Sequence, residues 1–76
     1  MKAYIMIQAK PGTSEEVVKA IKGRVKNVLH TDSVNGRYDA IIVIEAPDLG
    51  KINEVIYKVV EKDPNIVHTE TSITLF

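Results

Sequence analysis

VNGRYDAIIVIEA, residues 34–46, is a turn that runs into a strand. Ala40, Ile42, Ile44 and Ala46 form one apolar row, and Ile41 and Val43 form another on the opposite side. Side chains alternate across a strand, so a segment apolar in both rows belongs at the centre of a sheet. Asn35-Gly36 is the strongest short signal for a hairpin, because both residues tolerate positive φ. The segment before it, Val28 to Asn35, therefore pairs with the strand from Tyr38 to Ala46. It carries Val28, His30, Asp32 and Val34 against Leu29, Thr31 and Ser33, and this partial polarity suits a sheet edge.

The rest of the chain frames this hairpin symmetrically. Lys2 to Ala9 alternates Ala3, Ile5, Ile7 and Ala9 with Tyr4, Met6 and Gln8, and Pro11-Gly12 ends it. Thr13 and Glu16 have the spacing of a capping box. The helix after them carries Val17, Ile21 and Val25 on one stripe with Val18 beside it, ending near Lys26-Asn27. Asp48 is placed to cap a second helix with Leu49, Ile52, Ile56 and Val59 at helical spacing, flanked by Val55 and Val60. Asp63-Pro64-Asn65 stops it. The last strand, Ile66 to Phe76, sets Val67, Thr69, Thr71, Ile73 and Leu75 against His68, Glu70, Ser72 and Thr74.

The order β-α-β-β-α-β with right-handed crossovers predicts an α+β, ferredoxin-like fold: a four-stranded antiparallel sheet with two helices on one face, the first and third strands central. Residues 1–76 make one domain. Tyr4, Met6, Ile41 and Val43 then fall on the face without helices. An exposed apolar sheet face is unusual in a soluble monomer, and a chain of this size buries only about 60% of its unfolded surface. A homodimer packed sheet to sheet is expected.

Composition narrows the function. There is no cysteine, which excludes thiol catalysis and cysteine-ligated metals. Ten Lys plus Arg balance ten Asp plus Glu, so the net charge is zero, without the basic excess that direct nucleic-acid binding usually needs. No signal peptide or membrane-length apolar run is present, and a cytoplasmic location is expected. His30 and His68 lack ligand spacing and read as ordinary strand histidines; no cofactor is expected. Two groups of residues stand out. Gly36, Arg37, Tyr38 and Asp39 are either a turn with an Asp cap or one wall of a polar pocket. Thr69, Thr71, Ser72 and Thr74 are either β-favouring residues or a cluster of hydroxyls for a ligand carboxylate.

Together these segments resemble the effector-binding (RAM) domain of the Lrp/AsnC transcription regulators. The resemblance covers Ala3 to Leu75. It rests on AYIMIQA with its P-G-x-x-E-like helix entry, on VLHTDSVNGRYDAIIVIEA, on INEVIYKVVEKDPNI and on VHTETSITL. Gly-x-Tyr-Asp paired with Thr-x-Thr-Ser is the more specific element. The resemblance implies a dimer assembling into rings of eight or ten subunits, with amino acids or similar small effectors bound where dimers meet. It implies that Gly36, Arg37, Tyr38 and Asp39 line one wall, Asp39 accepting the ligand's ammonium. Thr69, Thr71 and Ser72 line part of the other. Full-length members carry a helix-turn-helix domain, whereas Met1 here stands almost at the first strand. A stand-alone module is therefore expected, acting through ring assembly with itself or with full-length regulators.

Three other readings share the topology. One is an assembly partner without a ligand. A second is a small cofactor-independent dimeric α/β barrel enzyme, with a cavity between helices and sheet and Tyr4, Tyr57 or His30 as candidates. A third is an ACT-type regulatory domain, which pairs its sheets side by side. Nothing in the residues demands catalysis, and the chain reads as a non-enzyme.

Overall fold

In the computed structural model, which describes residues 1–60 and 62–75, β1 (Lys2–Ala9) and β3 (Ala40–Glu45) form the centre of one antiparallel sheet. The outer strands are β2 (Val28–Ser33) and β4 (Ile66–Ile73), giving the order β2-β3-β1-β4. Helix α1 (Ser14–Arg24) connects β1 to β2, and α2 (Leu49–Val55), prolonged by a π-helical turn over Ile56–Val60, connects β3 to β4. The fold is ferredoxin-like. The side chains of Val59 and Val60, read from the sequence as part of the helical stripe, and Phe76, read as the end of the last strand, lie outside the described residues.

One face of the sheet makes the core. Ala3, Ile5 and Ile7 of β1 and Ala40, Ile42 and Ile44 of β3 are buried against Val17, Val18 and Ile21 of α1 and Ile52 of α2. Ile56 packs against the same cluster. On α1 the predicted stripe of Val17, Ile21 and Val25 is the one it buries; on α2 Ile52 is buried and Ile56 partly so, but Leu49, read onto the same stripe at the first turn, is 49% exposed. Acidic residues stand in the first turn of α1 (Glu15, Glu16) and basic ones in its last (Lys22, Arg24), matching the helix dipole.

Helix starts differ from expectation at one end and agree at the other. Asp48 caps α2, its Oδ1 accepting from Lys51 N at 2.9 Å. The Thr13–Glu16 capping box does not form. Thr13 Oγ1 instead donates to Lys10 O at 2.7 Å, closing the Pro11-Gly12 turn, in which Gly12 has φ of 80°. The hydroxyl is drawn to the nearer carbonyl, and the helix begins without a side-chain cap.

Two bulges also move the register away from strict alternation. In β2, Val28 pairs with Ile44 but His30 with Val43, so Val28 faces the helices and His30 the other side. In β4 the register shifts at Gln8/Ala9: Gln8 pairs with His68 and Ala9 with Ile66. Ile66 thereby packs on the core, and Val67 is pushed out, 64% exposed. A bulge opposes two residues of one strand to one of its partner, so its position is decided by the pair of strands together.

Candidate functional site

The connection between β2 and β3 is wider than the two-residue Asn-Gly turn its sequence suggests. Ser33 pairs with Ala40, and residues 34–39 form the loop, closed by Val34 N donating to Asp39 O at 2.9 Å. Asn35 keeps negative φ; Gly36 alone takes a positive value, 156°. Consequently β3 begins at Ala40, and Arg37, Tyr38 and Asp39 belong to the loop.

Asp39 explains why. Its backbone N donates to Ile7 O at 2.8 Å, and its Oδ2 accepts from Ala9 N at 2.7 Å. The carboxylate thus continues the β1–β3 ladder one step beyond the point where the strand backbone ends. Ala9 N is half-buried and would otherwise lose its partner, which costs about 1–3 kcal/mol. The structural role read for Asp39 is present, with a partner across the sheet rather than within the turn. Its second oxygen, Oδ1, has no bond of this kind among the described residues.

Arg37 and Tyr38 bend over the opposite edge of the open face. Gln8 Nε2 donates to Arg37 O at 3.1 Å. Tyr38 OH donates to Glu70 Oε2 of β4 at 2.5 Å, and the Arg37 guanidinium carbon lies 5.7 Å from the Tyr38 ring centre, within cation–π range. His68 Nε2 stands 3.7 Å from the other oxygen of Glu70. The hydrogen bond to Glu70 raises the Tyr38 phenol above its usual range. The same bond lowers the Glu70 carboxyl, with the Arg37 and His68 charges adding to it. Glu70 was absent from the candidates read from sequence. Its part in holding the loop depends on β1–β4 register, which places Glu70 opposite Met6.

The loop is therefore fastened to the middle of β4, at Glu70, and Thr69 precedes that contact in the strand. The proposed hydroxyl wall is divided. Thr69 and Thr71 pair with Ile7 and Ile5 and face the helix side, whereas Ser72 pairs with Tyr4 and faces the open side. Gly36, Arg37, Thr71 and Ser72 are exposed; Tyr38, Asp39 and Thr69 are half-buried. Between loop and β4 the open face shows Tyr4 opposite Val43 and Met6 opposite Ile41, with Tyr4 39% exposed.

The space where the alternative enzyme would need a cavity, between helices and sheet, is filled by Ile5, Ile42 and the partly buried Ile56. Tyr57 and His30 are exposed. Among the described residues, no group of three potential metal ligands gathers, and no helix is long and apolar enough to cross a membrane.

A family model for the Lrp/AsnC ligand binding domain matches residues 2–75. The structure is similar to that of hypothetical protein PHS023 from Pyrococcus horikoshii, at TM-score 0.90 and 27% identity over 99% of this chain and 89% of that one. FFRP-DM1 gives TM-score 0.89 and 27% identity, covering 97% of each chain. The fold also recurs in the transcriptional regulator NMB0573 of Neisseria meningitidis, solved as an L-Met complex. The TM-score there is 0.83 at 14% identity, over 99% of this chain and 49% of that one. No curated protein matches the chain.

Proposed function

The chain belongs to the family of Lrp/AsnC ligand-binding domains, and on that premise we propose that it is an amino-acid-responsive assembly module. The observation that carries this reading is the exposure of polar loop and strand groups at the border of an uncovered apolar sheet face. One subunit presents Arg37, Tyr38 and the free oxygen of Asp39 with no wall opposite them. A second subunit on the open face, and further dimers around it, would supply that wall. Small-molecule sites bury most of their ligand, so such half-sites become sites only on assembly.

In this scheme the sheets pair face to face over Tyr4, Met6, Ile41 and Val43, and dimers join into rings of eight or ten. The effector's ammonium goes to Asp39 Oδ1, the oxygen left over by the bond to Ala9. Its carboxylate goes to Arg37 and to Ser72, which shares the open side, while Thr69 and Thr71, which face the helix side, reach it only from a neighbouring subunit. The bound L-Met of the Neisseria regulator supports an amino acid as the ligand class. The module works in the cytoplasm, with itself and with full-length regulators as partners. Because a ligand shifts assembly only by its difference in affinity for two states, the effector acts by favouring one ring state.

A thermal-shift screen against the twenty amino acids at millimolar concentration tests this. A ligand at a hundred times its dissociation constant stabilises by about 2.7 kcal/mol, which for a domain this size is on the order of ten degrees or more. The expected result is a shift with one chemical group of amino acids, reduced in Arg37→Ala, a substitution at an exposed side chain outside the core. A flat response across all twenty overturns the effector reading and leaves a ligand-free assembly partner.

A further inference from the structure

A second concavity lies at the end of the sheet opposite the β2–β3 loop. The last turn of α1, its connection to β2, the turn after β3 and the outer side of α2 enclose about 300 Å³. Val25 and Ala46, both buried, and the half-buried Val55 give it an apolar lining. Around them stand four exposed cations, Arg24, Lys26, Lys51 and Lys58, and a single acid, Glu54. In a chain with ten cations and ten anions, a four-to-one ratio around one cleft is a marked local surplus.

The pairing inside the cleft does not cancel that surplus. Glu54 accepts from Lys58 Nζ at 2.7 Å and from Lys51 Nζ at 3.4 Å. One carboxylate holds two ammonium groups on the same helix flank and leaves one charge uncompensated. The hydrogen bond from Lys58, with the Lys51 charge next, keeps Glu54 ionised below the usual carboxylate range. Arg24 and Lys26 form no ion pair among the described residues. The α1 dipole accounts for a cation at Arg24. It does not account for Lys26, which lies past the extended cap residue Val25, or for the two lysines of the other helix.

We propose that this cleft is a second ligand site, for a small organic anion bearing a phosphate or carboxylate on a short apolar body. The cations take the anionic group, and Val25, Ala46 and Val55 take the body. The cleft lies at the small end of the range for metabolite sites, and its apolar lining would be wasted on a nucleic-acid backbone, which needs a track of charge instead. All its walls come from one chain, so the site does not depend on the assembly-based effector reading.

The test is an amide NMR titration of isotope-labelled protein with phenyl phosphate, benzoate and inorganic phosphate. Phenyl phosphate, benzoate or both are expected to give saturable shifts centred on Val25, Lys26, Asn27, Ala46 and Lys51; which of them does so identifies the anionic group. Inorganic phosphate binds several-fold more weakly. Arg24→Gln with Lys26→Gln weakens binding roughly five- to tenfold, the scale for two exposed charges. Lys10→Gln with Lys19→Gln, an equal change of net charge elsewhere, leaves it unchanged. Equal weakening by both pairs, shifts that do not saturate, or inorganic phosphate matching phenyl phosphate would each overturn the proposal.

Discussion

The two faces of this sheet are built from the same strands and treat their side chains in opposite ways. On the helix side, Ala3, Ile5, Ile7, Ala40, Ile42 and Ile44 are at most 1% exposed and their shape is closed by α1 and α2. On the other side, Tyr4 and Met6 stand beside Val43 and Ile41; Tyr4 is 39% exposed, Met6 and Ile41 are half-buried and Val43 is 8% exposed, and the row is edged by His30 and Asp32 of β2 and by His68, Glu70 and Ser72 of β4. The difference separates two tasks. The closed face holds the single chain together, and the open face, with the loop fastened to its border, is the surface on which the proposed assembly and effector binding depend.

Mutations should break this contrast in a graded way. The largest loss falls on the closed face: Ile5→Ala is expected to cost about 2–5 kcal/mol in urea unfolding, a large part of the total stability of a domain this small. Next is Asp39→Ala, which leaves Ala9 N without its 2.7 Å partner and should lose about 1–3 kcal/mol. Asp39→Asn keeps an oxygen acceptor and should lose less. An Asp39→Ala protein with wild-type stability would show that the carboxylate is idle in the fold. Smaller again is Asp48→Ala, about 1 kcal/mol for a lost helix cap. Thr13→Ala should stay within a few tenths, because Thr13 does not cap α1. A larger loss for Thr13 than for Asp48 would reverse the assignment of the two helix starts.

Much of this contrast could be read in the chain, and the exceptions have physical reasons. Two-residue alternation in AYIMIQA and AIIVIEA and the 3.6-residue stripes of Val17, Ile21 and Ile52 identify the elements, the central strands and the closed face. The Asn35-Gly36 signal located the hairpin but not its loop. A two-residue turn would have moved Asp39 into the ladder and removed its carboxylate from Ala9 N, a long-range bond that local propensity does not see. Val28, read into one row with His30, and Val67, read into one row with Thr69, each sit one face-step away because a bulge is a property of two strands in register. Within the candidate site, Gly36, Arg37, Tyr38 and Asp39 were found together because they are adjacent in sequence. Glu70 was missed because only the β1–β4 register brings it to Tyr38. The basic cleft was missed for the same reason: residues 24–27, 46 and 51–58 meet only in three dimensions.

The smallest expected effect is in proton affinity at the border of the open face. Glu70 has a lowered folded-state pKa, so its contribution to stability is present above the ordinary carboxylate range and fades as pH falls through the lowered value. Tyr38 has a raised one, so its contribution is present below the ordinary phenol value and fades as pH rises through the raised value. Glu70→Gln should bring the Tyr38 titration, followed by tyrosinate absorbance, back down toward the ordinary phenol range. An unchanged titration would mean that the Tyr38–Glu70 bond does not persist in solution and that the loop is not held to β4.

The most direct test of the whole account is the molar mass in solution by light scattering at micromolar concentration, compared between wild type and Met6→Glu. The wild-type chain is predicted to run as a multiple of 8.5 kDa, at least a dimer. The variant, charged at the centre of the open face, should fall toward a single chain while keeping its helix and sheet signal. A wild-type protein that is monomeric at 8.5 kDa, or a variant that assembles like wild type, would contradict the claim that the open face is completed by another subunit.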